Sequence, residues 1–177
     1  MATAKWVLDP THSDLQFKIK HLMITNVTGT FGQLAGEVEA EGDDFSNAKV
    51  TFTVGVDSIS THNEQRDGHL KSPDFFDVAT YPEIKFEGTK FTKKGGDDYV
   101  LEGNLTMHGE TKPVSVDVEF GGIQQDPYGQ TKAGFEVTGK INRKDFGLSW
   151  GAVTETGGVM LGDDVKLSAA LQFVKQA

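Results

Sequence analysis

The stretch "SDLQFKIKHL" at residues 13–22 decides the fold of this chain, because its polarity alternates with a period of two. Successive side chains of a β-strand point to opposite faces, so this alternation is typical of a strand with one face buried and the other in water. The buried face of the predicted strand carries Leu15, Phe17, Ile19 and His21, and the outer face carries Asp14, Gln16, Lys18 and Lys20.

The same alternation recurs through the rest of the chain. Runs rich in glycine, aspartate and proline separate the alternating segments, and such runs favour tight turns between antiparallel strands. We therefore predict an all-β fold of about eight antiparallel strands. The further alternating segments lie within residues 34–38, 50–56, 84–86, 101–107, 114–120, 135–141 and 165–173.

The length of the strands and the small residues on their apolar faces favour a closed barrel over a sandwich. Small inward residues leave room that bulky ones would fill, and an eight-stranded barrel is near the size that encloses one small ligand. The same glycines could instead relieve strand bending at barrel corners. The small residues are Gly32, Gly36, Gly103, Ala133, Gly139 and Ala169.

The composition is that of one ordinary soluble domain covering residues 1–177. The formal net charge of −9 makes nucleic acid a poor partner, and the absence of cysteine excludes disulfides and thiolate metal sites. The N-terminus "MATAKWVLDP" has no apolar run of signal-peptide length, and no later segment is long enough to span a membrane. We therefore expect a cytoplasmic protein without stable membrane insertion, or a periplasmic one if a leader has been removed.

Residues 61–77, "THNEQRDGHLKSPDFFD", interrupt the strand pattern. Thr61 is predicted to cap a short helix, and Gly68 and Pro73 limit its length, because glycine destabilises a helix and proline lacks an amide donor. We expect a short helical crossover that serves as a lid over one end of the barrel. The side chains expected to face inward from it are Leu70, Phe75 and Phe76.

A second interruption covers residues 142–164, which are rich in glycine yet include Phe146 and Trp150. Long loops in compact domains are usually functional or disordered, and disordered segments are poor in aromatic residues. We therefore expect this segment to pack over the barrel mouth, beside the lid.

The chain has only two arginines, Arg66 and Arg143, and each is close in sequence to an aspartate, Asp67 or Asp145. The planar guanidinium can bind a carboxylate through two hydrogen bonds, so this sparing use indicates fixed pairings. We predict that they clamp the two interrupting segments to the barrel. The alternative is that Arg66 or Arg143 binds a ligand phosphate.

Five stretches of the chain resemble successive signatures of the YceI-like polyisoprenoid-binding family, in family order from Trp6 to Phe173. The resemblance implies a bacterial, lipocalin-like antiparallel β-barrel with an internal apolar tunnel that takes a long isoprenoid or a similar chain. The stretches are "WVLDPTHSDLQFKIKH", "GTFGQLAGEV", "STHNEQRDGHLKSPDFFDVATYPEIKF", "LEGNLTMHGETKPVSVDV" and "GKINRKDFGL".

With that resemblance, we expect a protein that binds, stores or carries a polyisoprenoid, a quinone-like molecule or another fatty-chain amphiphile, and that is not an enzyme. Alternation assigns the apolar lining, and polar side chains among it are candidates to orient a head group. His21 could equally be a satisfied core histidine. The expected ligand-binding residues are Phe17, Ile19, His21, Phe31, His69, Leu70, Phe75, Phe76, Phe86, Gly103, Asn104, Leu105, Met107, Phe135, Phe146 and Trp150.

Other kinds of function have weaker signals. The five histidines form no HExxH motif and no G-x-S-x-G motif occurs, so neither a metal, a cofactor nor a serine nucleophile is predicted. A lipid head-group enzyme would have to use His69 with Asp67 or Asp74. The remaining alternative is a ligand-free stress-response or protein-interaction module, for which a homodimer is one option.

Overall fold

The computed structural model describes residues 3–21, 24–41, 44–148 and 161–176. One α-helix, α1, spans Glu64–Lys71, and short 3-10 helices span Pro10–His12, Val56–Ser58 and Arg143–Phe146. The β-strands are β1 (Thr3–Leu8), β2 (Asp14–His21), β3 (Thr25–Phe31), β4 (Leu34–Glu41), β5 (Asp44–Gly55), β6 (Ile59–Ser60), β7 (Glu83–Gly95), β8 (Asp98–Met107), β9 (Glu110–Gln125), β10 (Thr131–Asn142) and β11 (Leu161–Lys175).

Eight of these strands form a closed antiparallel barrel. They are hydrogen-bonded in the order β1, β4, β5, β7, β8, β9, β10 and β11, and β11 pairs back onto β1. Closure removes the exposed edges that an open sheet would present. The predicted barrel of about eight strands is therefore confirmed, as is the short helix near residues 61–77.

The edge of β11 that faces away from β10 is shared by two strands. Near its C-terminal end Phe173 pairs with Leu8 of β1, and further back Ala170 pairs with Asp14 of β2. The chain thus leaves the barrel after β1, turns through the 3-10 helix and rejoins the same edge as β2. The strands β3 and β6 extend the sheet beyond β2.

Asp9 fixes this turn. Its Oδ1 accepts hydrogen bonds from the amide of Thr11 at 3.0 Å and from the Thr11 hydroxyl at 2.6 Å. Its Oδ2 lies 2.8 Å from His12 Nδ1 and accepts a bond from Lys132 Nζ at 3.1 Å. The pKa of Asp9 is lowered below its ordinary value. The hydrogen bond from the Thr11 hydroxyl contributes most to this shift, and the bond with His12 contributes next. The carboxylate therefore ties the β1–β2 turn to β10.

The two ends of the barrel differ. At the end where β5 and β10 finish lie β6 and α1, and we call it the helix end. The opposite end is filled by aromatic rings, and we call it the aromatic end. There Phe45 packs against Trp6, Phe120 and Phe135 with ring centroids 5.1, 5.4 and 5.2 Å apart. Because Trp6 and Phe45 are fully buried, this end is closed.

The helix begins later than predicted. Its N-cap is Asn63, whose side-chain oxygen accepts a bond from the Arg66 amide at 3.0 Å, so the predicted cap at Thr61 is wrong. Asn63 has the extended backbone and short carbonyl side chain that an N-cap requires. Gly68 lies within α1 and does not end it, since one glycine costs a helix only about 1 kcal/mol. No helix among the described residues is long and apolar enough to cross a bilayer.

Candidate ligand-binding cavity

A cavity of about 400 Å³ lies inside the barrel. Its walls are the inward side chains of the strands, its floor includes Phe45, Phe135 and Phe173 of the aromatic end, and its opposite side is covered by the segment around α1. Small-molecule sites typically measure roughly 300–1,000 Å³ and are mostly apolar. The polar residues that line this one are Thr61, Arg66, His69, Arg143 and Ser168.

The inward residues show that the barrel is packed at one end and open in the middle. Phe17, Phe52 and Phe86 point inward but remain half-buried, because they face the cavity. Phe45, by contrast, is only 2% exposed. In a filled barrel, all inward-pointing phenylalanines would be buried to a similar extent. The lower burial of Phe17, Phe52 and Phe86 therefore indicates that the middle of the lumen is unfilled.

The segment around α1 covers the cavity with apolar side chains. Leu70, Phe75 and Phe76 all line it. Phe76 packs edge-to-face on Phe31 with centroids 6.2 Å apart, and its amide donates to Leu70 O at 3.0 Å. The aromatic pair is therefore held over the lumen by the turn that follows the helix.

Arg66 and Asp67 meet on Thr61, which is buried. Arg66 Nε donates to Thr61 Oγ1 at 2.8 Å, and its Nη2 donates to Thr61 O at 2.9 Å. The amide and hydroxyl of Thr61 in turn donate to Asp67 Oδ1, at 2.9 and 2.5 Å. The predicted arginine–aspartate pairing is thus replaced by a bridge through threonine, which joins the first turns of α1 to the end of β6.

Arg143 is almost fully buried, with 3% of its surface exposed. Its Nε donates to Gly162 O at 2.8 Å and its Nη1 donates to Leu148 O at 2.6 Å. Burial lowers the pKa of Arg143, and the nearby charge of Asp163 partly opposes this shift. The arginine therefore ties the residues that follow β10 to the start of β11, and it does so through backbone carbonyls. The aspartate predicted to pair with it, Asp145, is exposed at the surface.

The histidine predicted near the cavity mouth has a carboxylate partner. His69 Nε2 lies 2.9 Å from Asp74 Oδ2, and the histidine ring packs edge-to-face on Phe75 with centroids 5.2 Å apart. Both side chains of the pair are substantially exposed. Within the described parts of the chain, no three His, Asp or Glu side chains gather as a metal site would require.

Comparison with known proteins assigns the family. The family model described as the YceI-like domain matches residues 6–173. The chain belongs to the YceI-like family. The resemblance inferred from the five sequence stretches is thereby confirmed.

Relatives and solved structures agree with the YceI-like assignment. A UPF0312 protein of Staphylococcus epidermidis is 43% identical over 170 residues, which cover 96% of each chain. BcnA of Burkholderia cenocepacia has 22% identity and a TM-score of 0.81, covering 93% of this chain and 98% of its own. A polyisoprenoid binding domain from Saccharophagus degradans has 17% identity and a TM-score of 0.69, covering 97% of this chain and 98% of its own. The two structures show that the fold is shared.

The YceI-like barrel brings most of the residues predicted for a ligand site to the cavity wall. They come from the five strands β2, β3, β7, β8 and β10 and from the segment around α1, which the fold places around one lumen. Those that line the cavity are Phe17, Ile19, Phe31, His69, Leu70, Phe75, Phe76, Phe86, Leu105, Met107 and Phe135.

Other predicted residues lie elsewhere in the YceI-like barrel. Asn104 is exposed on the outer face, because it alternates with the inward Gly103 and Leu105 of β8, so its assignment to the cavity is wrong. Gly103 lies behind the Phe86 ring, and Phe146 is buried outside the lining.

Trp150 lies outside the described residues, and so does the side chain of His21, although His21 belongs to β2. The prediction that Gly32 lies on an apolar face is wrong, because this residue is exposed between β3 and β4.

Several lining residues of the YceI-like cavity were not predicted to bind ligand. Most lie on the alternating faces that predicted the strands, so alternation applied to every strand could have found them. Thr61 had no such signal, because its contact with the cavity depends on how α1 packs. The main additions are Leu15, Val27, Phe52, Thr61, Val116, Val137, Leu167 and Leu171.

Proposed function

We propose that this protein binds, stores or carries a long-chain isoprenoid or a similar amphiphilic lipid inside the barrel, without catalysing a reaction. The observation that carries the proposal is the apolar cavity, which is closed by aromatic rings at one end and covered by a short helical segment at the other. The Saccharophagus degradans domain with this fold is described as a polyisoprenoid binding domain, which supports this class of ligand.

The mechanism is withdrawal of an apolar chain from water. Each buried methylene contributes about 0.8 kcal/mol, part of which is offset by the cost of immobilising the chain. Because the lining is largely phenylalanine, leucine, isoleucine and valine, the chain meets few groups that require a hydrogen bond. Affinity therefore increases with chain length until the chain reaches the aromatic end.

The polar lining residues give the ligand a direction. Thr61, Arg66 and His69 lie on the segment that covers the helix end, whereas the floor is aromatic. A polar head group, quinone-like or otherwise, would therefore face the helix end and the tail would point to the floor. In this arrangement the bonds of Arg66 and Arg143 serve mainly as clamps that hold the cavity's cover and its rim.

The proposal predicts chain-length-dependent binding that a blocked cavity abolishes. Geranylgeraniol is expected to bind at least about tenfold more tightly than farnesol, because it buries one more isoprene unit. Replacing Ala169, which lines the cavity, by phenylalanine should fill the lumen and remove binding of both alcohols. Titration calorimetry in mild detergent, and mass spectrometry of lipid extracted from the purified protein, measure this.

The matched control is Ala170→Phe, the same change one residue along β11, where the side chain points to solvent. It should bind both alcohols as the unaltered protein does. Gly103→Leu is not a suitable variant for blocking the cavity. A Cβ at Gly103 would lie 2.3 Å from the carbonyl oxygen of Glu87, so the side chain would displace the strand. A protein that carries no lipid and binds neither alcohol would favour a ligand-free interaction module.

We further expect the segment of residues 61–77 to act as the cavity's lid. Its residues form one short helix and turns and pair with no barrel strand, so even with the Arg66–Thr61 bonds in place it should open more readily than the barrel strands. Bound geranylgeraniol should slow amide hydrogen exchange across residues 61–77, because it packs against Leu70 and Phe76. Strand β1, none of whose residues lines the cavity, serves as the internal reference. Equal protection with and without ligand would show that the ligand does not enter beneath this segment.

A further inference from the structure

Three phenylalanine rings of the cavity wall lie directly against glycines of neighbouring strands. A Cβ atom added at Gly29 would lie 2.2 Å from Cζ of Phe17, and one added at Gly103 would lie 2.5 Å from Cζ of Phe86. At Gly36 the nearest atom would be Cδ2 of Phe52, at 3.1 Å. Each ring thus fills space that a side chain on the neighbouring strand would need. The rings can lie along the wall, and the lumen stays wider than it would be if they projected inward.

We propose that Gly29 is a specificity-determining residue, which keeps the cavity wide enough for a methyl-branched chain by letting the Phe17 ring lie flat against β3. An isoprenoid chain carries a methyl branch on every fourth main-chain carbon, so it is thicker than an unbranched acyl chain of equal length. The inference rests on the proposed function and specifies its ligand class as branched, terpenoid chains.

Gly29 is the position at which only the ring would have to move. Phe17 and Gly29 are directly paired between β2 and β3, and the three atoms nearest to an added Cβ all belong to the Phe17 ring. At Gly103 the nearest atom is a backbone oxygen, so any side chain there would displace the strand itself. Gly29 also has no left-handed backbone conformation, so alanine fits its φ and ψ angles.

The Phe31 ring blocks one side of the Phe17 ring. The two rings pack with centroids 5.5 Å apart, and Phe31 is itself buried and packed on Phe76. A methyl group at residue 29 would therefore push the Phe17 ring into the lumen. The narrowing would occur at the level of the lid segment, where a chain entering from the helix end must pass.

The test compares two alcohols that differ only in branching, phytanol and hexadecan-1-ol, which share a main chain of equal length. The unaltered protein should prefer phytanol. Gly29→Ala should weaken phytanol binding by about tenfold or more and change hexadecan-1-ol binding by less than about twofold, since a lost or blocked methyl in an apolar site has an effect of this size. Dissociation constants are measured by calorimetry, and thermal melting checks that the variant is folded.

Two variants make the result specific. Gly32→Ala is the matched control, because a Cβ there would meet nothing within 4 Å, and it should leave both affinities unchanged. Adding Phe17→Leu to Gly29→Ala should restore phytanol binding, since the smaller side chain no longer projects. Equal weakening of both alcohols by Gly29→Ala, or no weakening, would overturn the assignment of Gly29. An unaltered protein that binds neither alcohol would instead overturn the proposed function, and this inference with it.

Discussion

Replacing Phe45 by alanine is expected to lower the free energy of unfolding by about 3–5 kcal/mol, the usual cost of removing a large ring from a packed core. Phe45 is 2% exposed and contacts the rings of Trp6, Phe120 and Phe135. Its removal leaves a void among side chains that cannot collapse together, because they are fixed to strands around the barrel. Urea unfolding followed by far-ultraviolet circular dichroism measures the change.

The control is Phe52→Ala, which removes the same side chain on the same strand, β5. Phe52 is half-buried and already has empty space on one side, so its removal should cost no more than about half as much. Similar losses for Phe45 and Phe52 would contradict the division of the barrel into a packed aromatic end and an open lumen. Phe45→Ala should also deepen the cavity, which would shift the preferred ligand to a longer chain.

Replacing Arg143 by methionine is expected to lower the free energy of unfolding by about 3 kcal/mol, because one buried and one partly buried carbonyl group lose a charged donor. Those groups, Leu148 O and Gly162 O, accept bonds from Arg143 at 2.6 and 2.8 Å. Methionine fills similar space and removes the cost of burying a charge, but it cannot donate. For a chain of this size the melting temperature should fall by roughly 6–12 °C.

Lys144→Met is the matched control for charge removal. Lys144 is next in sequence, and its ion pair with Asp163, at 3.2 Å, is exposed, so its loss should cost less than about 1 kcal/mol. Unchanged melting of Arg143→Met, with a lost preference for phosphate-bearing over neutral isoprenoids, would instead show that Arg143 binds a head group. The clamp interpretation requires the opposite result.

Much of the fold could be predicted from the sequence, because strand alternation depends on local polarity alone. Phe17, Leu105 and Phe135, assigned to inner faces by alternation, lie on the inner wall. The same rule places Asn104 outside, and it was assigned to the cavity only because a polar group was expected there. The error arose because the expected polar chemistry of the site was given more weight than the two-residue alternation of the strand.

The details of the lid and the clamps could not be predicted in this way. Two nearby polar residues, Thr61 and Asn63, could each begin the helix by residue type. In the structure Asn63 caps it, while the hydroxyl of Thr61 bonds to Asp67 and Arg66. The arginines do sit at the two interrupting segments. The partners that the structure shows, Thr61 for Arg66 and backbone carbonyls for Arg143, carry no sequence signal, since every residue has a carbonyl.

By itself, the sequence determined the all-β class, the apolar character of the inner face and the membership of the YceI-like family, because each is encoded in local order and short-range alternation. Only the tertiary structure decided which end of the barrel is closed, which acceptors the arginines meet and which glycine lies beneath which ring. Phe45 meets Phe135, Arg143 meets Gly162 and Phe17 meets Gly29 only once strand register and barrel closure are set. Register and closure arise from the summed packing of residues far apart in the chain, and local polarity does not contain them.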